Sequence, residues 1–248
     1  MTESVSQSRV FLSVAAPAYN EQANIESVIR EWQKVLESTD YATEIVVTND
    51  GSTDRTKEIL EGLANEFLNL RVVDSHQNGG YGAALSKAIK AGTGEYVVTL
   101  DSDGQFDLSD YVRLLDHCRE HKCDAVTGFR MGKKDNFLRV LADRALNLIV
   151  RLLFGVKLKD TNCALKLFKG ELLRSIKIEA RSYPTPTEIL LRLTERGAKI
   201  AEVGVRHRPR IGGQSHLKLF RTGFDMFLFL VYMRWKMFLK RRQIISHI

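Results

Sequence analysis

The chain has 248 residues, 44% hydrophobic and 27% charged, with 17 Gly against 4 Pro, a composition that excludes disordered, collagen-like and low-complexity classes. Its length suits one α/β domain, and no Ser/Gly/Pro-rich linker divides it. Lys and Arg outnumber Asp and Glu by 37 to 30, a formal charge of +7, which points to an anionic partner: nucleic acid, a phosphorylated ligand or anionic lipid.

In chain order, short β-branched apolar runs at Val10 to Ala16, Glu44 to Thr48, Leu70 to Asp74, Tyr96 to Leu100 and Asp124 to Thr127 alternate with amphipathic helical patterns. This βαβ rhythm predicts a mostly parallel sheet with helices on both faces and ligands bound outside the carboxyl ends of the strands. Each run is followed by a polar or glycine-containing segment: Pro17 to Glu21, Asn49 to Asp54, His76 to Gly82, Asp101 to Gln105 and Gly128 to Arg130. After residue 130 the pattern changes to helices over Phe137 to Phe154 and Thr187 to Arg196, then a strand over Lys199 to Val205. The last part, Leu217 to Ile248, places Phe220, Phe224, Phe227, Val231, Trp235 and Phe238 at near-helical spacing. Its longest unbroken apolar run, Met226 to Met233, is too short to span a bilayer. Flanking Lys218, Arg221, Arg234, Lys236, Lys240, Arg241 and Arg242 suit an interfacial helix; the alternatives are a helix packed on the domain, in a dimer seam or on a membrane partner. The expected division is a body over 1–216 and this helix over 217–248.

The first nine residues lack the apolar core of a secretory signal. With three cysteines, Cys118, Cys123 and Cys163, this suggests a reducing, cytosolic setting. His117, Cys118, His121 and Cys123 crowd one stretch, but their offsets share no single helix face, so they read as a helix end running into a strand.

Asp101 and Asp103, one residue apart at a strand end, can reach one hard divalent cation that a diphosphate would complete. Pro17, Tyr19 and Glu21, with Asp50 after the second strand, offer an aromatic wall and a carboxylate for a nucleobase. Ser52 to Asp54 also suits a helix cap. Gly80 and Gly82 belong to a glycine-rich turn before a helix starting near Ala83, whose amides could face phosphate. The turn has neither the P-loop nor the dinucleotide spacing.

The ordered set PAYNE (17–21), NDGSTD (49–54), NGGYGAAL (78–85) and LDSDGQ (100–105) closely resembles the family 2 glycosyltransferases of the GT-A fold. Further on, GFR (128–130), KDTNCALKLF (159–168) and HRPRIGGQSH (207–216) resemble the branch with dolichyl-phosphate mannose synthase and bacterial polyprenyl-phosphate sugar synthases. The resemblance covers residues 10 to 216. It implies a GT-A α/β fold, a nucleoside diphosphate sugar donor and Mg²⁺ or Mn²⁺, with Asp50 at the base and Asp101, Asp103 and Gln105 at the metal beside Ser102. It implies a polyprenyl phosphate acceptor held by Arg130 and Arg139, with Arg144 and Asp160 nearby, and a loop with Arg210, Gly213 and Ser215 over the donor diphosphate. Many members continue into transmembrane helices, so peripheral contact or a membrane partner protein is expected on the cytosolic face. The chain departs from the family at Asn49, where a second Asp is usual, and at His216, where Lys is frequent.

The expected reaction is in-line attack of the lipid phosphate on the anomeric carbon with inversion. A phosphate monoester carries ~1.5 to 2 negative charges and needs no base. A hydroxyl acceptor would need one, for which Asp160 or Glu188 could serve. A non-catalytic nucleotide-sugar-binding subunit is the other alternative, opposed by the intact Asp101 and Asp103. No nucleic-acid-binding module is present in the sequence.

Overall fold

Along β1 (Leu12–Ala18), Leu12, Val14, Ala16 and Ala18 enter one hydrophobic cluster while Ala15 enters another. A strand buried throughout on both faces lies inside a covered sheet. In the computed structural model that sheet has seven strands. The structure describes the backbone of residues 9–131, 137–209 and 219–245, and the side chains of 9–131, 143–209 and 222–239.

Chain order runs β1, α1 (Ile25–Glu37), β2 (Thr43–Asn49), α2 (Thr56–Glu66), β3 (Leu70–Asp74), α3 (Tyr81–Ala91), β4 (Tyr96–Thr99), α4 (Tyr111–Glu120) and β5 (Ala125–Arg130). It continues with α5 (Phe137–Phe154), β6 (Lys166–Lys169), α6 (Gly170–Arg174), α7 (Thr185–Glu195), β7 (Ile200–Val205) and α8 (Leu219–Ile245). Spatial order is β3-β2-β1-β4-β6-β5-β7, with β6 antiparallel to both neighbours and every other pairing parallel. The carboxyl ends of β2, β1, β4 and β5 therefore share one edge.

Helices cover both faces. On one, Ile25, Ile29 and Trp32 of α1, Leu60 of α2 and Leu114 of α4 meet the sheet. On the other, Leu85 and Ile89 of α3 and Ile189 and Leu193 of α7 do so. A third cluster joins Leu146 and Val150 of α5, Leu191 of α7, and Met226 and Leu230 of α8.

Two elements have no counterpart in the sequence reading, β6 and the short α6. Lys166 opens β6 and is 1% exposed. A four-residue strand bounded by lysines lacks the apolar alternation that announces a strand. The stretch from His117 to Cys123 is the end of α4 and the turn into β5, and all three cysteines are free and buried.

Candidate functional site

The loops after β1 and β2 lock together by reciprocal hydrogen bonds. Asn20, at φ 54°, donates its backbone N–H to Ser52 Oγ at 3.0 Å, and its Oδ1 accepts from Thr53 N at 2.8 Å. Glu21 N donates to Thr56 Oγ1 at 2.8 Å. The capping role expected of Ser52 to Asp54 falls to Asp54, whose Oδ1 accepts from Thr56 N at 3.0 Å. Tyr19 is 43% exposed and offers an aromatic face at this edge.

Asn49 explains its own departure from the family pattern. Its amide donates to Asp74 Oδ1 at 2.6 Å. An aspartate there would set two carboxylates against each other.

Asp50 is 3% exposed, and its two oxygens accept from Gly79 N at 2.9 Å and Gly80 N at 2.8 Å. The β2 end thereby holds the glycine turn in place. Gly80 has φ +87°, and a Cβ at Gly80 or Gly82 would collide with the backbone carbonyl of Arg181 or Ala180 respectively. That contact alone requires glycine at both positions. Between them Tyr81, the first residue of α3, donates its hydroxyl to Asp101 Oδ1 at 2.8 Å. Burial, reinforced by the charge and hydrogen bond of Asp101, pushes the Tyr81 phenol well above its usual pKa, so it remains a donor.

After β4, Ser102 turns inward and donates to Pro17 O at 2.8 Å, tying the Asp101–Asp103 loop to the end of β1. Asp103 is 8% exposed and caps Gln105 N at 3.1 Å. Gln105 exchanges backbone and side-chain bonds with Arg208, whose N–H donates to Gln105 O at 2.8 Å while Gln105 Nε2 donates to Arg208 O at 3.4 Å. Among the described residues no group of three or more His, Cys, Asp or Glu could hold a metal by itself. Two carboxylates fit a hard divalent cation that keeps most of its coordination for phosphate and water, so the donor set suits Mg²⁺ or Mn²⁺.

The third part lies at the end of β5. Arg130 forms a bidentate pair with Asp160, Nε to Oδ2 at 2.7 Å and Nη2 to Oδ1 at 3.0 Å, with Asp143 Oδ2 3.7 Å away. Burial alone would lower the Arg130 pKa, but the hydrogen bonds and charge of Asp160 carry it upward, so the guanidinium is permanently charged. Two groups that sequence reasoning missed, a half-buried glutamate and a fully buried lysine, shape this corner. Glu202 Oε1 accepts from Lys159 N at 2.7 Å and Asp160 N at 3.3 Å, and Lys166 Nζ donates to Thr127 Oγ1 at 2.7 Å and Thr161 O at 3.2 Å. Neither lies in an expected position for ligand chemistry; Glu202 fell as a charge inside the expected strand from Lys199 to Val205, and nothing in the sequence marked Lys166.

Arg144 is exposed on α5. Arg139 lies on the same helix, but its side chain is outside the described residues, as are Arg210, Gly213 and Ser215. The two carboxylates considered as bases for a hydroxyl acceptor are both engaged. Asp160 holds Arg130, and Glu188, fully buried, accepts from Glu179 N at 3.0 Å, Ala180 N at 2.7 Å and Arg192 Nε at 2.6 Å.

Residues 13–174 match the model of the family described as Glycosyl transferase family 2. The dodecaprenyl-phosphate galacturonate synthase of Rhizobium johnstonii is 26% identical over 230 residues, covering 91% of this chain and 68% of that protein. A glycosyltransferase of Haloferax volcanii is 31% identical over 242 residues, covering 94% of this chain but only 38% of its own length. Among solved structures, glucosyl-3-phosphoglycerate synthase from Mycobacterium tuberculosis, in complex with Mn²⁺, UDP-glucose and glycerol 3-phosphate, superposes with a TM-score of 0.70 at 26% identity. That match covers 91% of this chain and 80% of that one.

Proposed function

Because the chain belongs to glycosyl transferase family 2, we propose that it moves a hexose from a nucleoside diphosphate sugar to a polyprenyl phosphate, with inversion, on the cytosolic face of a membrane. One observation carries this reading. The Asp101–Asp103 loop follows β4, the Asp50 loop lies two strands away on one side, Arg130 lies two strands away on the other, and all three sit at carboxyl strand ends. A donor site beside a guanidinium suited to phosphate fits transfer to a phosphorylated acceptor. The polyprenyl-phosphate substrate of the Rhizobium relative supports a lipid as its carrier.

In this reading a lipid phosphate oxygen attacks the anomeric carbon, the bond from that carbon to the diphosphate breaks, and the nucleoside diphosphate leaves with the bonding pair. Asp50 and Tyr19 receive the nucleotide beside Pro17 and Glu21. Asp101 and Asp103, with the amide oxygen of Gln105, would hold a divalent cation, which would supply positive charge against the leaving diphosphate. The Mn²⁺ and UDP-glucose bound by the mycobacterial synthase favour Mn²⁺ and a UDP-sugar as the first pair to test. The Arg130–Asp160 pair uses donors on Nε and Nη2, and Nη1 then serves the acceptor phosphate, assisted by Arg139 and Arg144. Arg210, Gly213 and Ser215 complete the diphosphate end.

The body over 1–216 carries the chemistry, and the segment over 217–248, which contains α8, seeks the membrane. No helix among the described residues is long and apolar enough to cross one. The outer face of α8 supports a peripheral mode, since Phe224 is 62% and Trp235 60% exposed, with Phe227, Val231 and Phe238 beside them.

The test incubates the protein with Mn²⁺, radiolabelled UDP- or GDP-sugars and a short-chain polyprenyl phosphate, then extracts with organic solvent. Label is expected in the organic phase. Label confined to water for every donor, from folded protein, overturns the lipid reading. Arg130→Ala should cut kcat/KM for the lipid by ~100-fold or more while nucleotide binding persists, and loss of both would move the acceptor site elsewhere.

A further inference from the structure

We propose that Tyr81 is a positioning residue for the carboxylate of Asp101, linking the nucleotide loop at Asp50 to the metal loop. The inference rests on the transferase reading in taking Asp101 as a metal ligand.

One contact made by this residue and two that fix the glycines around it carry the inference. Its hydroxyl donates to Asp101 Oδ1 at 2.8 Å, which restrains rotation of the carboxylate. Outer hydrogen bonds of this kind set the orientation and basicity of metal-binding oxygens. Immediately before it, Gly79 N and Gly80 N are both held by Asp50. From behind, the backbone of Ala180 and Arg181 closes against Gly80 and Gly82, and Gly82 N donates to Arg181 O at 3.3 Å.

That backing segment is itself fixed. Glu188, in the first turn of α7, accepts from Glu179 N and Ala180 N, and Thr185 Oγ1 donates to Ala180 O at 3.3 Å. Tyr81 thus stands on a main chain with little freedom to retreat, and its phenol reaches across to the β4 loop. A glycine turn needed only for phosphate approach would not require a hydrogen-bonding side chain between its glycines. Here the side chain joins the two loops that would hold opposite ends of one donor. Occupancy at Asp50 and cation binding at Asp101 should then favour each other, and reciprocally.

The test titrates Mn²⁺ into wild type, Tyr81→Phe and Asp101→Ala, with and without UDP, following free Mn²⁺ by electron paramagnetic resonance. Urea unfolding is measured in parallel. Wild type should bind Mn²⁺ more tightly when UDP is present. Tyr81→Phe should lose about tenfold in Mn²⁺ affinity and most of the UDP enhancement, with an unchanged unfolding midpoint. Wild-type affinity and enhancement in Tyr81→Phe overturn the inference alone, as does a loss accompanied by an equal fall in stability. Wild type that binds no Mn²⁺ with UDP overturns the transferase reading, and the inference with it.

Discussion

Lys166 sits fully buried on β6, its ammonium donating to the Thr127 hydroxyl and the Thr161 carbonyl. Burial pulls its pKa down from 10.5 to about 8. Below pH 8 it is charged in both folded and unfolded chains, and the fold bears the cost of an enclosed ammonium. Between about 8 and 10.5 the folded form has lost a proton that the unfolded form keeps, so unfolding takes up a proton and stability rises with pH. Relative to Lys166→Met, wild type should therefore gain up to ~3 kcal/mol across that window, read by urea unfolding at pH 7, 8.5 and 10. A difference that stays flat with pH would show that the lysine is not enclosed as described. Residues of this kind were invisible in the sequence, where a lysine inside a motif carries no mark of burial. Asp50, Asp101 and Asp103 stood out as carboxylates following apolar runs within an ordered set of motifs, and Arg130 through the resemblance alone. Tyr81 did not, because it read as part of the glycine-rich turn before a helix expected near Ala83, whereas α3 begins at Tyr81 itself.

Among the elements, α8 is apolar on two opposite sides. Met226, Leu230, Met233 and Met237 are buried, while Phe224, Phe227, Val231, Trp235 and Phe238 are exposed. The buried side packs on α5 and α7, and Glu179 fastens the helix through Lys236 Nζ at 2.7 Å and Tyr232 OH at 3.3 Å. Leu230→Ala removes a fully enclosed side chain and should cost ~2 to 4 kcal/mol of docking. The measurable result is faster amide exchange across 222–239 with protection in β1 and β2 retained. Equal loss of protection everywhere would mean that α8 and the sheet unfold as one unit. The strands β1 to β5 and β7 were legible from their apolar runs, as were α5, whose bounds coincide with the expected Phe137 to Phe154, and α7 to within two residues. β6 was not, since its four residues begin and end on lysine and lack the apolar run that marked the other strands.

At the scale of the whole molecule, the proposed membrane contact would use the +7 charge to draw the protein to an anionic bilayer and the aromatic side of α8 to anchor it. Wild type should sediment with vesicles containing phosphatidylglycerol, with a blue shift in tryptophan emission. Trp235→Ala should sediment several-fold less while keeping its thermal midpoint, because Trp235 is 60% exposed and little packing is lost. Undiminished sedimentation would remove α8 from the membrane contact. The antiparallel β6 also carries a consequence for how the protein is made. β1, β2, β3 and β4 pair only among themselves until β6 arrives, and β5 has no neighbours but β6 and β7. A ribosome that has released residues 12 to 99 can therefore yield a four-strand parallel unit, whereas β5 must wait, unpaired, through some forty further residues. During that interval the nascent chain exposes a β4 edge and a lone apolar strand, the sort of surface that chaperones shield. The Arg130–Asp160 pair at the end of β5 consequently cannot form until Asp160 has been made, well after the four-strand unit.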